Sequence, residues 1–148
     1  MYWADRIAKE IIKSKKYKPY WIDDMKTPSG RVHVGSLRGV LIHDLIYKAL
    51  LSKGEKATFS YVIDDHDPMD GLPVYLDRKK YLPHMGKPLN TVPSPQPGFS
   101  SYAEYFAKEF IEVFNSLGAR PKIIWTSKLY ESGKMDESIR AVLDKAQT

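Results

Sequence analysis

The sequence predicts an α/β protein, a parallel sheet with helices on both faces. Strand-like and capped helical patterns alternate in the order helix, strand, helix, strand, long loop, helix, strand, helix, which is the order of βαβ units. The 148 residues are 43% hydrophobic and 28% charged, a balance that suits one compact domain, and ten Tyr, five Phe and three Trp supply apolar surface that a disordered chain lacks. The stretch TPSGRVHVGS, Thr27 to Ser36, lies between the first strand pattern and a long apolar helix, where α/β folds bind ligands.

Each element follows from local pattern. In WADRIAKEIIKS, Trp3, Ile7 and Ile11 recur at four-residue spacing and form one apolar face. PYWIDDM reads as a short strand opened by Pro19. A helix is expected from about His33 to Lys53, with Leu37, Leu41, Leu45, Ile46 and Ala49 on its buried side and Gly54 just past its end. In KATFSYVID, Ala57, Phe59, Tyr61 and Ile63 alternate as a second strand. From Asp64 to Gly98 periodicity fades, and seven of the ten prolines fall there: Pro68, Pro73, Pro83, Pro88, Pro93, Pro95 and Pro97. A stretch of that length is disordered or functional, and its Tyr, Leu, Met and Val content predicts an ordered loop at about 64–98 within a single domain, 1–148. SSYAEYFAKEFIEVFNSLG is a helix, with Ser101 and Glu104 at capping-box spacing, Tyr102, Phe106, Phe110 and Val113 on one face, and Gly118 as its stop. PKIIWTS predicts a third strand and MDESIRAVLDKAQT a last helix.

Composition narrows the function. The absence of Cys excludes disulfides and thiolate metal sites. The opening MYWADRIAKEIIKSKK is charged throughout, and His43, Asp44 and Lys48 interrupt the most apolar run. Neither a secretory leader nor a membrane span is therefore expected, and a soluble cytoplasmic protein is. The net charge of +5 is compatible with an anionic partner or with a solvated basic surface. Its densest cluster, Lys13 to Lys18, ends a helix pattern, where cations also favour the dipole.

The TPSGRVHVGS stretch has only two valines to bury. It opens at the carboxyl edge of the sheet and ends at a helix N-terminus, whose free N–H groups and positive dipole end attract an anion. Gly30 and Gly35 remove Cβ atoms that would hold a phosphate or ribose off the backbone. A tight βα turn with an N-cap accounts for much of this pattern, but not for Gly35 inside the first turn, where Gly costs ~1 kcal/mol relative to Ala. The dinucleotide spacing G-x-G-x-x-G and the G-K-[ST] of a P-loop are both absent.

His33-Val34-Gly35-Ser36 resembles the HIGH signature of class I aminoacyl-tRNA synthetases and related nucleotidyl transferases. TPSGRVHVGSLRG, IDDHDPMDGLP, GKPLNTVPSP, SYAEYFAKEF and TSKLYESGKMDESIR occur in the order and approximate spacing of class I lysyl-tRNA synthetase. The resemblance covers nearly the whole chain and implies a Rossmann-like fold, the first half of that family's nucleotide-binding domain. It implies that lysine and ATP form lysyl-adenylate and pyrophosphate, and that lysine then passes to tRNA(Lys). His33 and Ser36 are the implied catalytic residues. Pro28, Ser29, Gly30, His33, Gly35 and Ser36 are the implied ATP contacts, and Thr27, Asp64 and Asp65 the implied lysine contacts. ATP would be a substrate accompanied by magnesium, with no protein-only metal site and no membrane partner.

Three departures from that family stand out. Met25 stands where the family has Gly, and Asp70-Gly71-Leu72-Pro73 where it has Arg-Lys-Val-Pro. The family's enzymes are several times longer. SGKMDES, Ser132 to Ser138, follows the third strand too soon to be the second, KMSKS-type signature and reads as a helix N-terminus. The expectation is therefore the amino-terminal half of a nucleotide-binding domain, weakly active or inactive by itself. Asp64-Asp65-His66-Asp67 reads as carboxylates for a substrate ammonium group in preference to a metal site. His43 reads as a core or boundary residue, and His84 has no evident partner. Two alternatives remain open at this point: another nucleotidyl transferase of the same fold, or a non-catalytic nucleotide- or tRNA-binding module.

Overall fold

A computed structural model describes residues 2–146, so the last two residues of the expected final helix, Gln147 and Thr148, lie outside the described residues. Helix α1 (Trp3–Ser14) leads into β1 (Tyr20–Lys26), α2 (Val34–Ser52) and β2 (Ala57–Ile63). After a long segment containing the one-turn α3 (Arg78–Tyr81) come α4 (Tyr102–Ser116), β3 (Lys122–Trp125), α5 (Thr126–Glu131) and α6 (Asp136–Lys145). The strands form one parallel sheet in the order β1-β2-β3, with Lys26 beside Ile63 and Ile63 beside Trp125. Their carboxyl ends therefore share one edge.

The sheet order follows the chain order, and this decides where the helices go. Two right-handed crossovers that step in the same direction land on the same face. Tyr47 of α2 meets Phe59 of β2 at 5.8 Å between ring centroids. Phe110 and Phe114 of α4 meet Tyr61, two residues further along the same face, at 6.0 and 5.5 Å. Helix α1 packs on α2 and buries Ala4 and Ala8. The parallel α/β architecture is as expected, but the crossover helices cover one face only. The opposite face carries Trp21 at 65% and Met25 at 54% exposure.

Residues 64–98 owe their shape to a second apolar cluster. Met69, Tyr81, Leu89 and Val92 are buried against Tyr102, Ala103 and Phe106 on the first turns of α4. Two 3₁₀ turns, Leu82–His84 and Leu89–Thr91, continue the segment, and its Pro68 bridges Pro88. Burial of these large side chains holds the backbone where local periodicity is absent. Among the described residues His84 Nδ1 has no hydrogen-bond partner, and it is buried there.

Three local expectations change. On α4 the buried stripe continues from Phe110 to Phe114, which meets Tyr61 of β2, and Val113 is exposed. Ser101 Oγ does accept from Glu104 N at 3.1 Å, but the Glu104 carboxylate reaches back to Ser100 N at 2.6 Å, one residue before the cap. The third strand stops at Trp125, and Thr126-Ser127 begin α5 instead of extending it. Among the described residues no helix is long and apolar enough to cross a membrane.

Candidate active site at the carboxyl edge of the sheet

The loop from β1 to α2 is held on all sides by its own chain. Thr27 Oγ1 donates to Asp67 Oδ2 at 3.0 Å. Pro28 is fully buried. Tyr102 Oη donates to the Ser29 carbonyl at 2.8 Å, and Tyr75 Oη accepts from Arg31 N at 2.6 Å. A Cβ on Gly30 would lie 2.9 Å from both Pro73 Cγ and Tyr75 Oη. The close approach that Gly30 permits is thus made by the 64–98 segment.

His33 caps α2. Its backbone is extended, and its Nδ1 accepts from Gly35 N at 3.0 Å. An imidazole nitrogen that accepts carries no proton, so the hydrogen of neutral His33 is on Nε2, on an exposed side chain. A Cβ on Gly35 would sit 2.8 Å from His33 Nδ1 and Cε1. The capping ring is thus a sufficient reason for glycine at this position, and Gly35 still lines a cleft. The first turn of α2 holds no acidic residue.

Two adjoining clefts meet there. The first, of about 310 Å³, is lined by Ser29, Gly30, His33 and Ser36 together with Lys26 and Arg31. The second, of about 250 Å³, is lined by Gly35 and Ser36 with Asp24, Lys26, Arg38 and His43. Five of the six residues expected at an ATP site therefore line these clefts, and Pro28 lines neither. Arg31 Nε pairs with Glu109 at 2.8 Å.

The acidic cluster divides. Asp64 Oδ1 accepts from Thr126 Oγ1 at 2.8 Å, and its backbone N–H is bonded to the Lys26 carbonyl at 3.0 Å, so it lies at the strand edge. Asp67 reaches Thr27. Asp65 is only 4% exposed, and both of its carboxylate oxygens are taken by Ser127, from N at 2.9 Å and from Oγ at 2.6 Å. Its position fits a fastener between β2 and α5 and leaves little of it for a ligand. His66 lies against Tyr130, with 5.3 Å between ring centroids. Among the described residues no group of three or more His, Cys, Asp or Glu side chains could hold a metal ion.

The sequence reading passed over Lys26, Arg31, Tyr75 and Asp24, and it placed Asp67 in the acidic cluster without its contact to Thr27. Asp24 had a signal in Gly39, inside an otherwise apolar helix: a Cβ there would lie 2.7 Å from Asp24 Oδ2. His43 is the boundary residue expected, with Nδ1 2.8 Å from the Gly39 carbonyl and 3.6 Å from Asp24. The SGKMDES stretch runs from the turn after α5 into the first turn of α6.

Residues 1–148 match the family described as tRNA synthetases class I (K). The chain is 37% identical over 145 residues to a lysine--tRNA ligase of Methanosarcina barkeri, which covers 98% of the chain and 26% of that protein. It is 35% identical over 147 residues to a lysine--tRNA ligase of Methanocaldococcus jannaschii, which covers 99% of the chain and 28% of that protein. A lysine--tRNA ligase of Thermoplasma volcanium is 36% identical over 145 residues, 98% of the chain and 27% of that protein. The chain thus spans about a quarter of the length of these relatives. With its parallel sheet, its helix-capping His33 loop and a match running from end to end, the chain belongs to the class I tRNA synthetases of the lysine type.

Proposed function

We propose that this chain is the first half of the nucleotide-binding domain of a lysine--tRNA ligase, one Rossmann-like unit with an ordered 64–98 insertion. The observation that carries the proposal is the orientation of His33. Its Nδ1 is engaged by Gly35 N, which leaves the Nε2 hydrogen free at the N-terminus of α2, beside a cleft lined by Ser29, Gly30 and Ser36. ATP in that cleft would set its phosphates against the helix dipole.

In the proposed reaction a carboxylate oxygen of lysine attacks the α-phosphorus, the bond to the bridging oxygen breaks, and pyrophosphate leaves with the electron pair. Negative charge on the phosphoryl oxygens is met by His33 Nε2–H and by the α2 dipole. No protein nucleophile is required, and the work is electrostatic. Ser36 faces both clefts and is suited to a phosphate or ribose hydroxyl contact. Thr27 and Asp64 stand at the same strand edge for the lysine ammonium groups, with Asp67 orienting the Thr27 hydroxyl. Asp65 is the weakest of the three original lysine contacts, because its oxygens already hold Ser127. Magnesium would arrive with ATP and is not assigned protein ligands. Transfer to tRNA(Lys) and a cytoplasmic location follow from the same reading.

The test is an NMR titration with ATP and with a non-hydrolysable lysyl-adenylate analogue, alongside the alanyl and glutamyl analogues. The lysyl compound should bind tightest and perturb Gly30, Gly35 and Ser36 first. Equal affinity for all analogues, or shifts confined to residues 64–98, would overturn the proposal.

A further inference from the structure

We infer that Lys26 is a phosphate-binding residue of this site, gripping the polyphosphate of the nucleotide against the first turn of α2. The inference rests on the ATP reading above and adds to it a residue from the end of β1. Lys26 lies on the same strand face as Ile22 and Asp24, the face that α2 covers. Strand and helix run in opposite directions across that crossover. Asp24 abuts Gly39, and Lys26, two residues further along, stands beside Gly35 and Ser36, one helical turn earlier. It lines both clefts, as does Ser36.

Among the described residues no carboxylate lies within ion-pair distance of the Lys26 ammonium group, a condition it shares with other lysines but combines with a half-buried place on both clefts. The first turn of α2 supplies no acid, and Arg38 stands on the same cleft. A half-buried cation at the positive end of a helix is unfavourable in the empty protein. A bound anion reverses the sign, because cation and dipole then act on the same charge. Lysine is a compact point charge on a flexible stem and can follow a phosphate chain as it leaves.

The experiment compares the wild-type chain with Lys26→Gln and Lys26→Arg, using ATP, inorganic pyrophosphate and adenosine as probes at several salt concentrations. Lys26→Gln should weaken ATP and pyrophosphate by roughly tenfold or more, the size of one charge-assisted hydrogen bond. The salt dependence of both should flatten, adenosine should bind unchanged, and Lys26→Arg should keep most of the affinity. Melting temperature without ligand should stay level or rise. ATP binding that survives Lys26→Gln intact overturns the role of Lys26 and leaves the nucleotide reading standing. Pyrophosphate binding that depends on Lys26 without any preference for ATP keeps the anion site and overturns the nucleotide reading. Equal losses of adenosine and ATP, or a wild-type chain that binds neither anion, overturn the inference.

Discussion

Asp65 at the end of β2 holds Ser127 at the start of α5 with both carboxylate oxygens, at 2.9 Å to the backbone N–H and 2.6 Å to the hydroxyl. The side chain of one element thereby caps the first turn of another. Thr126 Oγ1 adds a third contact at 3.1 Å. Removing the carboxylate leaves a buried N–H and a buried hydroxyl without a partner. Asp65→Ala should therefore cost about 2–3 kcal/mol in urea unfolding, and Ser127→Ala less. An Asp65→Asn protein of unchanged stability that no longer binds the lysyl-adenylate analogue would restore Asp65 to the substrate.

His33 carries a structural and a chemical task on different nitrogens. His33→Ala loses the cap to Gly35 N and should lower stability by about 1 kcal/mol, whereas His33→Asn keeps an acceptor there and should lose little. Adenylate formation, measured in a chain of the relatives' full length carrying these residues, should fall by ~10²–10³ in His33→Ala, with Asn between. ATP and lysine affinities should change far less than the rate. A His33→Ala enzyme that keeps its rate and only melts earlier would reduce His33 to a cap.

Gly30 is predicted to be intolerant for a packing reason. Its Cβ would press on Pro73 and on Tyr75 Oη at 2.9 Å. Gly30→Ala should cost ~1–3 kcal/mol, as overpacking does. It should also break the Arg31 N to Tyr75 bond, visible as faster exchange of the Arg31 amide. Tyr75→Phe removes that bond alone and should loosen the loop with a smaller loss of stability.

Glu104 gives a pH dependence. Lys108 and Ser100 hold its carboxyl well below the ordinary 4.5, at about 2. A carboxyl depressed on folding contributes stability above its unfolded value and loses it as pH falls through the folded one. The wild type should therefore lose stability relative to Glu104→Gln between about pH 4.5 and pH 2, and the two should differ by a constant amount above pH 5.5. Paired urea titrations across that range check it, and parallel curves would remove Glu104 from the account.

What the sequence determined by itself was everything local in cause. The alternation of Phe59, Tyr61 and Ile63, the four-residue spacing in α1, the Ser101 cap and the helix-opening His33 loop are set by neighbours a few residues away, so pattern was enough to read them. The family was legible for the same reason, in contiguous motifs from TPSGRVHVGS to SYAEYF. Only the tertiary structure decided the rest. That both crossover helices take one face depends on sheet order, which no local pattern encodes. The end of β3 at Trp125 depends on a carboxylate some sixty residues earlier in the chain. Phe114 is buried and Val113 exposed because Tyr61 of β2 is the partner that α4 covers. That Lys26 lines the clefts beside Ser36, and that Asp65 holds Ser127, follows only when strand ends from distant parts of the chain meet at one edge. Burial and hydrogen bonding there are settled by which groups the fold brings within reach of each other, and residue type alone does not say which they are.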